Sequence, residues 1–118
     1  MASARDVCYK FRFPTRRGDA VMAKGYWINC FHSIKDQAKF EAYRNLAGPV
    51  MEKLGANYLV RGNPSKVYES GVDARVVIIE FESVEKAIAA HDSPGYQAAL
   101  KALGDGAVRD LRIVEGLN

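Results

Sequence analysis

Apolar positions recur along this chain in two different periods, and the switches between them mark out its elements. From Lys24 the run Gly25, Tyr26, Trp27, Ile28, Asn29, Cys30, Phe31 is rich in aromatic and β-branched types and predicts a first strand. Between Asp36 and Leu54 the period becomes helical, with Phe40, Tyr43, Ala47, Val50 and Leu54 along one face and Gly55 as a left-handed stop. Pro49 has no amide hydrogen and its ring crowds the carbonyl four residues back, so a kink or break is expected at Gly48 and Pro49. Asn57 to Arg61 reads as a second strand, followed by a bend at Gly62 to Pro64, an irregular extension over Lys66 to Glu69 and a turn at Gly71 to Asp73. Arg75 to Phe81 is the clearest strand, and its core Val76, Val77, Ile78, Ile79 is apolar on both faces. Ser83 caps a second helix with Val84, Ala87, Ile88 and His91 on one face. Ser93 and Pro94 restart it, and Tyr96, Ala99, Leu100 and Leu103 continue the buried stripe. Gly104 and Gly106 end it, and Val108 to Val114 reads as the last strand.

The order strand, helix, strand, strand, helix, strand is that of the split βαβ unit. It predicts an α+β, ferredoxin-like βαββαβ domain: a four-stranded antiparallel sheet with two helices on one face. The other face is then bare. With a third strand apolar on both sides, a bare face exposes more apolar surface than a soluble monomer tolerates. A homodimer that packs sheet on sheet, a dimeric α+β barrel, removes the problem, so the first partner expected is a second copy of this chain.

At 118 residues there is room for one domain, and 48% hydrophobic with 26% charged residues is ordinary globular usage. The stretch Met1 to Val21 differs, with Arg5, Lys10, Arg12, Arg16 and Arg17 broken by Pro14 and Gly18. Residues 1–21 are expected to be an appendage or a translated leader, with Val7 to Phe13 able to form an edge strand, and 22–118 the folded domain. The net charge of +3 is spread along the chain, so nucleic acid is not expected as a partner. No apolar run approaches the roughly 20 residues that cross a bilayer, so no membrane partner is expected and a cytoplasmic location is the default. Cys8 and Cys30 do not spell a metal site, and Cys30 is expected as a small core side chain.

Several blocks carry a resemblance: Met22 to Ile28, Leu59 to Gly62, Arg75 to Phe81, Ser93 to Gln97, and Ile113 to Gly116. In that order they resemble a bacterial domain-of-unknown-function family, DUF1330, of the dimeric α+β barrel superfamily. Asn63 stands where relatives commonly carry a second Gly, and Asn29 to Lys35 is one residue longer than its counterpart. The resemblance implies the same fold and no particular activity, because the superfamily spans cofactor-free monooxygenases, haem-degrading enzymes, muconolactone isomerases and proteins without known activity. Haem-degrading relatives combine an Asn on the first strand with a Trp and a His; Asn29 matches, but Phe81 and Leu100 stand at the other two places. A haem role is disfavoured and no cofactor is expected.

No phosphate loop, nucleophile elbow or paired carboxylates occur, which leaves hydrolase and kinase chemistry without a basis. The catalytic candidates are His32, a general base or a solvated loop histidine; Asn29; and Arg61 with Glu80, an ion pair that aligns a ligand or merely ties the sheet. Trp27, Tyr43, Tyr58 and Tyr96 are candidates to line a pocket for a planar molecule, or else to be core and dimer contacts. The expected site lies between sheet and helices near Pro49, with Tyr43 and Tyr96 giving wall and hydroxyl and Asn29 or His32 the polar group. Two functions remain: a cofactor-free monooxygenase- or isomerase-like enzyme on a small organic ligand, or a non-catalytic dimeric binding or interaction protein.

Overall fold

The computed structural model describes residues 23–117, so the appendage expected at 1–21 and the edge strand expected over Val7 to Phe13 lie outside the described residues. Strict alternation makes β1 (Gly25–Ile34) two-sided: Trp27, Asn29 and Phe31 are buried, while Tyr26, Ile28 and Cys30 point the other way. Cys30, expected as a small core side chain, is therefore half-buried on the opposite face and outside the buried core. A bulge falls between Phe31 and Ser33, inside the segment read as one residue longer than its relatives. Gly25 lets the strand pass close to the helix entrance at Ser83 and Val84, since a Cβ there would stand 2.6 Å from the Ser83 carbonyl oxygen and 2.7 Å from the Val84 Cα.

Helix α1 (Gln37–Lys53) starts at Asp36, whose side chain accepts from the Lys39 amide at 3.1 Å. It ends at Leu54, and Gly55 takes the left-handed φ of 84° that its sequence position foretells. Of the kink or break expected at Gly48 and Pro49, the break does not occur: one helix runs through both residues. Pro49 and Asn45, whose carbonyl loses its usual donor four residues on, are both exposed, so that carbonyl is not stranded in the core. Phe40, Tyr43, Ala47 and Met51 form the buried stripe, and Leu54, expected on it, is exposed.

Next come β2 (Asn57–Gly62) and β3 (Val76–Phe81), then α2 (Val84–Asp92), α3 (Pro94–Leu103) and β4 (Ala107–Glu115). The described residues thus hold three helices and not the two expected. Ser93 in extended conformation separates α2 from α3, donating its hydroxyl to Ala90 and accepting from the Tyr96 amide. Ile88 is exposed and Ala90 takes the buried place expected for it. The sheet order is β2-β3-β1-β4, antiparallel throughout, which is the ferredoxin-like α+β arrangement.

One face carries the core. Trp27, 1% exposed, packs against Phe81 and Tyr96 and donates its indole N–H to the Ala87 carbonyl at 2.9 Å. Val77, Ile79 and Phe81 complete the floor beneath the helices. The open face carries Ile28, Val60, Ile78 and Val114, so β3 is apolar on both sides as its sequence predicts.

Candidate functional site

Between α1 and the β1-β3-β2 half of the sheet lies a cavity of about 210 Å³. The floor is apolar, made by Val77, Ile79 and Trp27; Phe40, Tyr43 and Met51 of α1 form the roof. Asn29 is the polar residue of the floor, 3% exposed, and its Oδ1 is buried without a hydrogen-bond partner. At the mouth stand Arg44, Arg61 and Arg75 with a single carboxylate, Glu41.

The arginines are held by ring faces. Arg61 lies 4.7 Å from the Tyr58 ring centroid, and Arg44 and Arg75 lie 5.6 and 5.8 Å from that of Phe40. Glu41 accepts from Arg44 at 3.3 Å and from Gln37 at 3.0 Å, whereas the ion pairs among the described residues include neither Arg61 nor Arg75. Burial, and then the charges of Arg44 and Arg61, lower the Arg75 pKa from its usual high value. The mouth is thus a cationic funnel over an apolar floor, complementary to a flat organic anion.

Behind the roof lies a second polar node. The hydroxyls of Tyr43 and Tyr96 are 2.7 Å apart, and Arg109 donates to both, at 3.1 and 2.9 Å. Tyr96 is fully buried, and burial first, then the neighbouring Tyr43, raises its pKa above the ordinary tyrosine value. Burial works against the charge of Arg109, but the two phenol oxygens outweigh it and keep that pKa raised.

The structure brings Trp27, Asn29, Tyr43, Tyr58 and Arg61 to one cavity. Tyr96 is not among its lining residues; its hydroxyl, expected to meet a ligand, is engaged by Tyr43 and Arg109. His32 lies on the open face, its Nε2 3.0 Å from Asp110, so it and Asn29 serve opposite sides of the sheet. Arg61 and Glu80 do not pair, because antiparallel strands place the end of β2 beside the start of β3: Arg61 registers with Val77, and Glu80 with Asn57. Glu80 instead accepts from Asn57 at 3.1 Å and Tyr26 at 2.9 Å, and these bonds lower its pKa. His91 closes α2 and packs edge-on to Trp27.

Sequence reasoning missed Arg44, Arg75 and Arg109. A signal existed for two of them: Arg75 is in phase with Val77 and Ile79, and Arg109 with Leu111 and Ile113, on the buried faces of their strands. Among the described residues no group of His, Cys, Asp or Glu is placed to hold a metal ion, and no helix is long and apolar enough to cross a membrane.

A family model described as "Domain of unknown function (DUF1330)" matches residues 24–117. No curated protein matches. Among solved structures, a protein of unknown function from Rhodopseudomonas palustris, RPA0582, is 22% identical with a TM-score of 0.64, over 97% of this chain and 92% of that one. SnoaB, a cofactor-independent oxygenase from Streptomyces nogalater, is 15% identical with a TM-score of 0.55, over 80% and 93%. An ethyl tert-butyl ether D (EthD) family protein from Bacillus halodurans is 17% identical with a TM-score of 0.54, over 79% and 98%. At such identities the likeness shows the fold alone.

Proposed function

Since the chain belongs to the DUF1330 family, whose description assigns no activity, function has to be read from the cleft, and we propose that it is a small-molecule site for a planar organic anion. The observation that carries this reading is the convergence of Arg44, Arg61 and Arg75, with one carboxylate among them, on a cavity floored by Val77, Ile79 and Trp27. Three guanidinium groups with a single carboxylate among them repel one another in the empty protein, and a bound anion relieves this through charge-assisted hydrogen bonds worth about 1.5–3 kcal/mol each.

The working form of the protein in this reading is a homodimer joined through the open sheet face, supported by the apolar side chains of Ile28, Val60, Ile78 and Val114 there. Binding without turnover is the primary reading. Glu41, the carboxylate at the mouth, already accepts from both Arg44 and Gln37 through its Oε2, so that oxygen is occupied before any ligand arrives. Cofactor-free turnover of the bound anion is the second, favoured by the three guanidinium groups that line the cavity, a type of group that stabilises a developing enolate or phenolate oxygen.

Thermal-shift titration with benzoate and its neutral methyl ester tests the charge reading. Benzoate is expected to raise the melting temperature, with the effect falling at high salt and lost in Arg75→Gln. Equal protection by acid and ester, or none by either, overturns it. Oxygen uptake with the bound acid separates turnover from binding.

A further inference from the structure

The cleft holds one polar group more than recognition of an anion uses. Asn29 Oδ1 is buried with no donor, in a residue that lines the cavity and is 3% exposed. Nearly all buried polar atoms are satisfied in folded chains, so an orphan at the floor of a cavity points to a partner that arrives from outside. The sheet register fixes its position relative to the arginines. Asn29 pairs with Val77 and Val77 pairs with Arg61, so the three stand in one row across β1, β3 and β2. With strands about 4.8 Å apart, the backbones of Asn29 and Arg61 are roughly 10 Å apart, one on either side of that valine. The space above the row, about 210 Å³, suits a single ring with small substituents; an apolar cavity of about 150 Å³ already holds benzene.

We propose that the ligand is a single-ring organic acid with a hydroxyl or amino donor remote from its anionic group. The anion meets Arg61 and Arg75, the ring lies on Val77, and the donor is taken by Asn29 Oδ1. This rests on the reading of the cleft as an organic-anion site. The terminal torsion of an asparagine is broad, so the amide turns toward an incoming donor without leaving a staggered well. An acid without the donor fills the same floor and satisfies the same arginines, yet leaves the oxygen orphaned. Sites that bury an unpaired acceptor discriminate strongly against such analogues.

Calorimetric titration of the full chain with benzoate, 3-hydroxybenzoate, 4-hydroxybenzoate and 4-methylbenzoate tests the proposal. One hydroxy acid is expected to bind about tenfold tighter than benzoate, equivalent to about 1.4 kcal/mol. 4-Methylbenzoate, matched in shape to 4-hydroxybenzoate, is expected to gain nothing from hydrogen bonding. In Asn29→Leu the hydroxyl advantage should vanish while benzoate still binds, and the unliganded variant should melt no lower than the parent. Equal affinity for all four acids overturns the inference and leaves the anion site standing; binding of none overturns both. A hydroxyl advantage that persists in Asn29→Leu overturns the role of Asn29. Should that variant fail to fold, the comparison of hydroxy and methyl acids on the parent protein decides.

Discussion

Removing one oxygen atom from Tyr96 should cost this fold more than its size suggests. The hydroxyl receives a hydrogen bond from Arg109 at 2.9 Å and lies 2.7 Å from the Tyr43 hydroxyl. In Tyr96→Phe the ring still packs against Trp27, but Arg109 keeps only its bond to Tyr43, at 3.1 Å. A hydrogen bond to a charged group contributes about 1.5–3 kcal/mol, so a loss of about 2 kcal/mol is expected. For a domain of this size that lowers the melting temperature by on the order of 10 °C. Urea denaturation of Tyr96→Phe, Arg109→Met and the double variant forms the cycle, methionine keeping much of the apolar stem of the arginine. The two losses should couple by at least about 1 kcal/mol. A loss below about 0.5 kcal/mol in Tyr96→Phe, or strictly additive losses, would refute the node as a tie between α1, α3 and β4. The same residue sets an alkaline limit. Its pKa is raised by burial above the ordinary value of about 10, so its stabilisation is complete below that pH and is lost as pH rises through the folded-state pKa. Unfolding midpoints measured from pH 9 upward should fall more steeply in the parent than in Tyr96→Phe.

Two further outcomes follow from the packing. Ile78→Asp puts a charge at the centre of the open face; sedimentation should find the parent above the 13.0 kDa of one chain and the variant as monomer or insoluble, and a monomeric parent would sink the dimer. Gly25→Ala forces a Cβ to within 2.6 Å of the Ser83 carbonyl, and urea denaturation should show a loss of about 1–3 kcal/mol, with an unchanged midpoint contradicting the close approach of β1 to α2.

The elements were legible because each carries its own local mark. Ser83 and Ser93 announce helix starts by side chains that accept from amides three residues on, and Gly55 and Gly104 take the positive φ that ends helices. Pro49 misled because the cost of a proline within a helix depends on whether the carbonyl it strands is buried, and exposure is a tertiary fact. The cleft was legible in part for a similar reason. Trp27, Asn29, Tyr43 and Tyr58 are conspicuous types, while Arg75 resembles an ordinary surface charge until strand parity puts it in phase with the buried Val77 and Ile79. Pairing between distant strands decided the rest, including which end of β2 lies beside which end of β3.

Parity alone would have put Tyr58 and Arg61 on opposite sides of β2, since they are three residues apart. Both face the cleft because Leu59 is an extra residue: Tyr58 pairs with Ile79, Val60 with Ile78, and Leu59 bulges between them. The charge of the cleft is therefore governed by a length as well as by an alphabet. A lineage that dropped one residue from this edge strand would regain a regular ladder and swing either the tyrosine or the arginine outward, with every cleft side chain elsewhere intact. Insertions and deletions in β2, usually dismissed as edge variation, are thus a route by which related chains could exchange one class of ligand for another without altering a single residue of the floor.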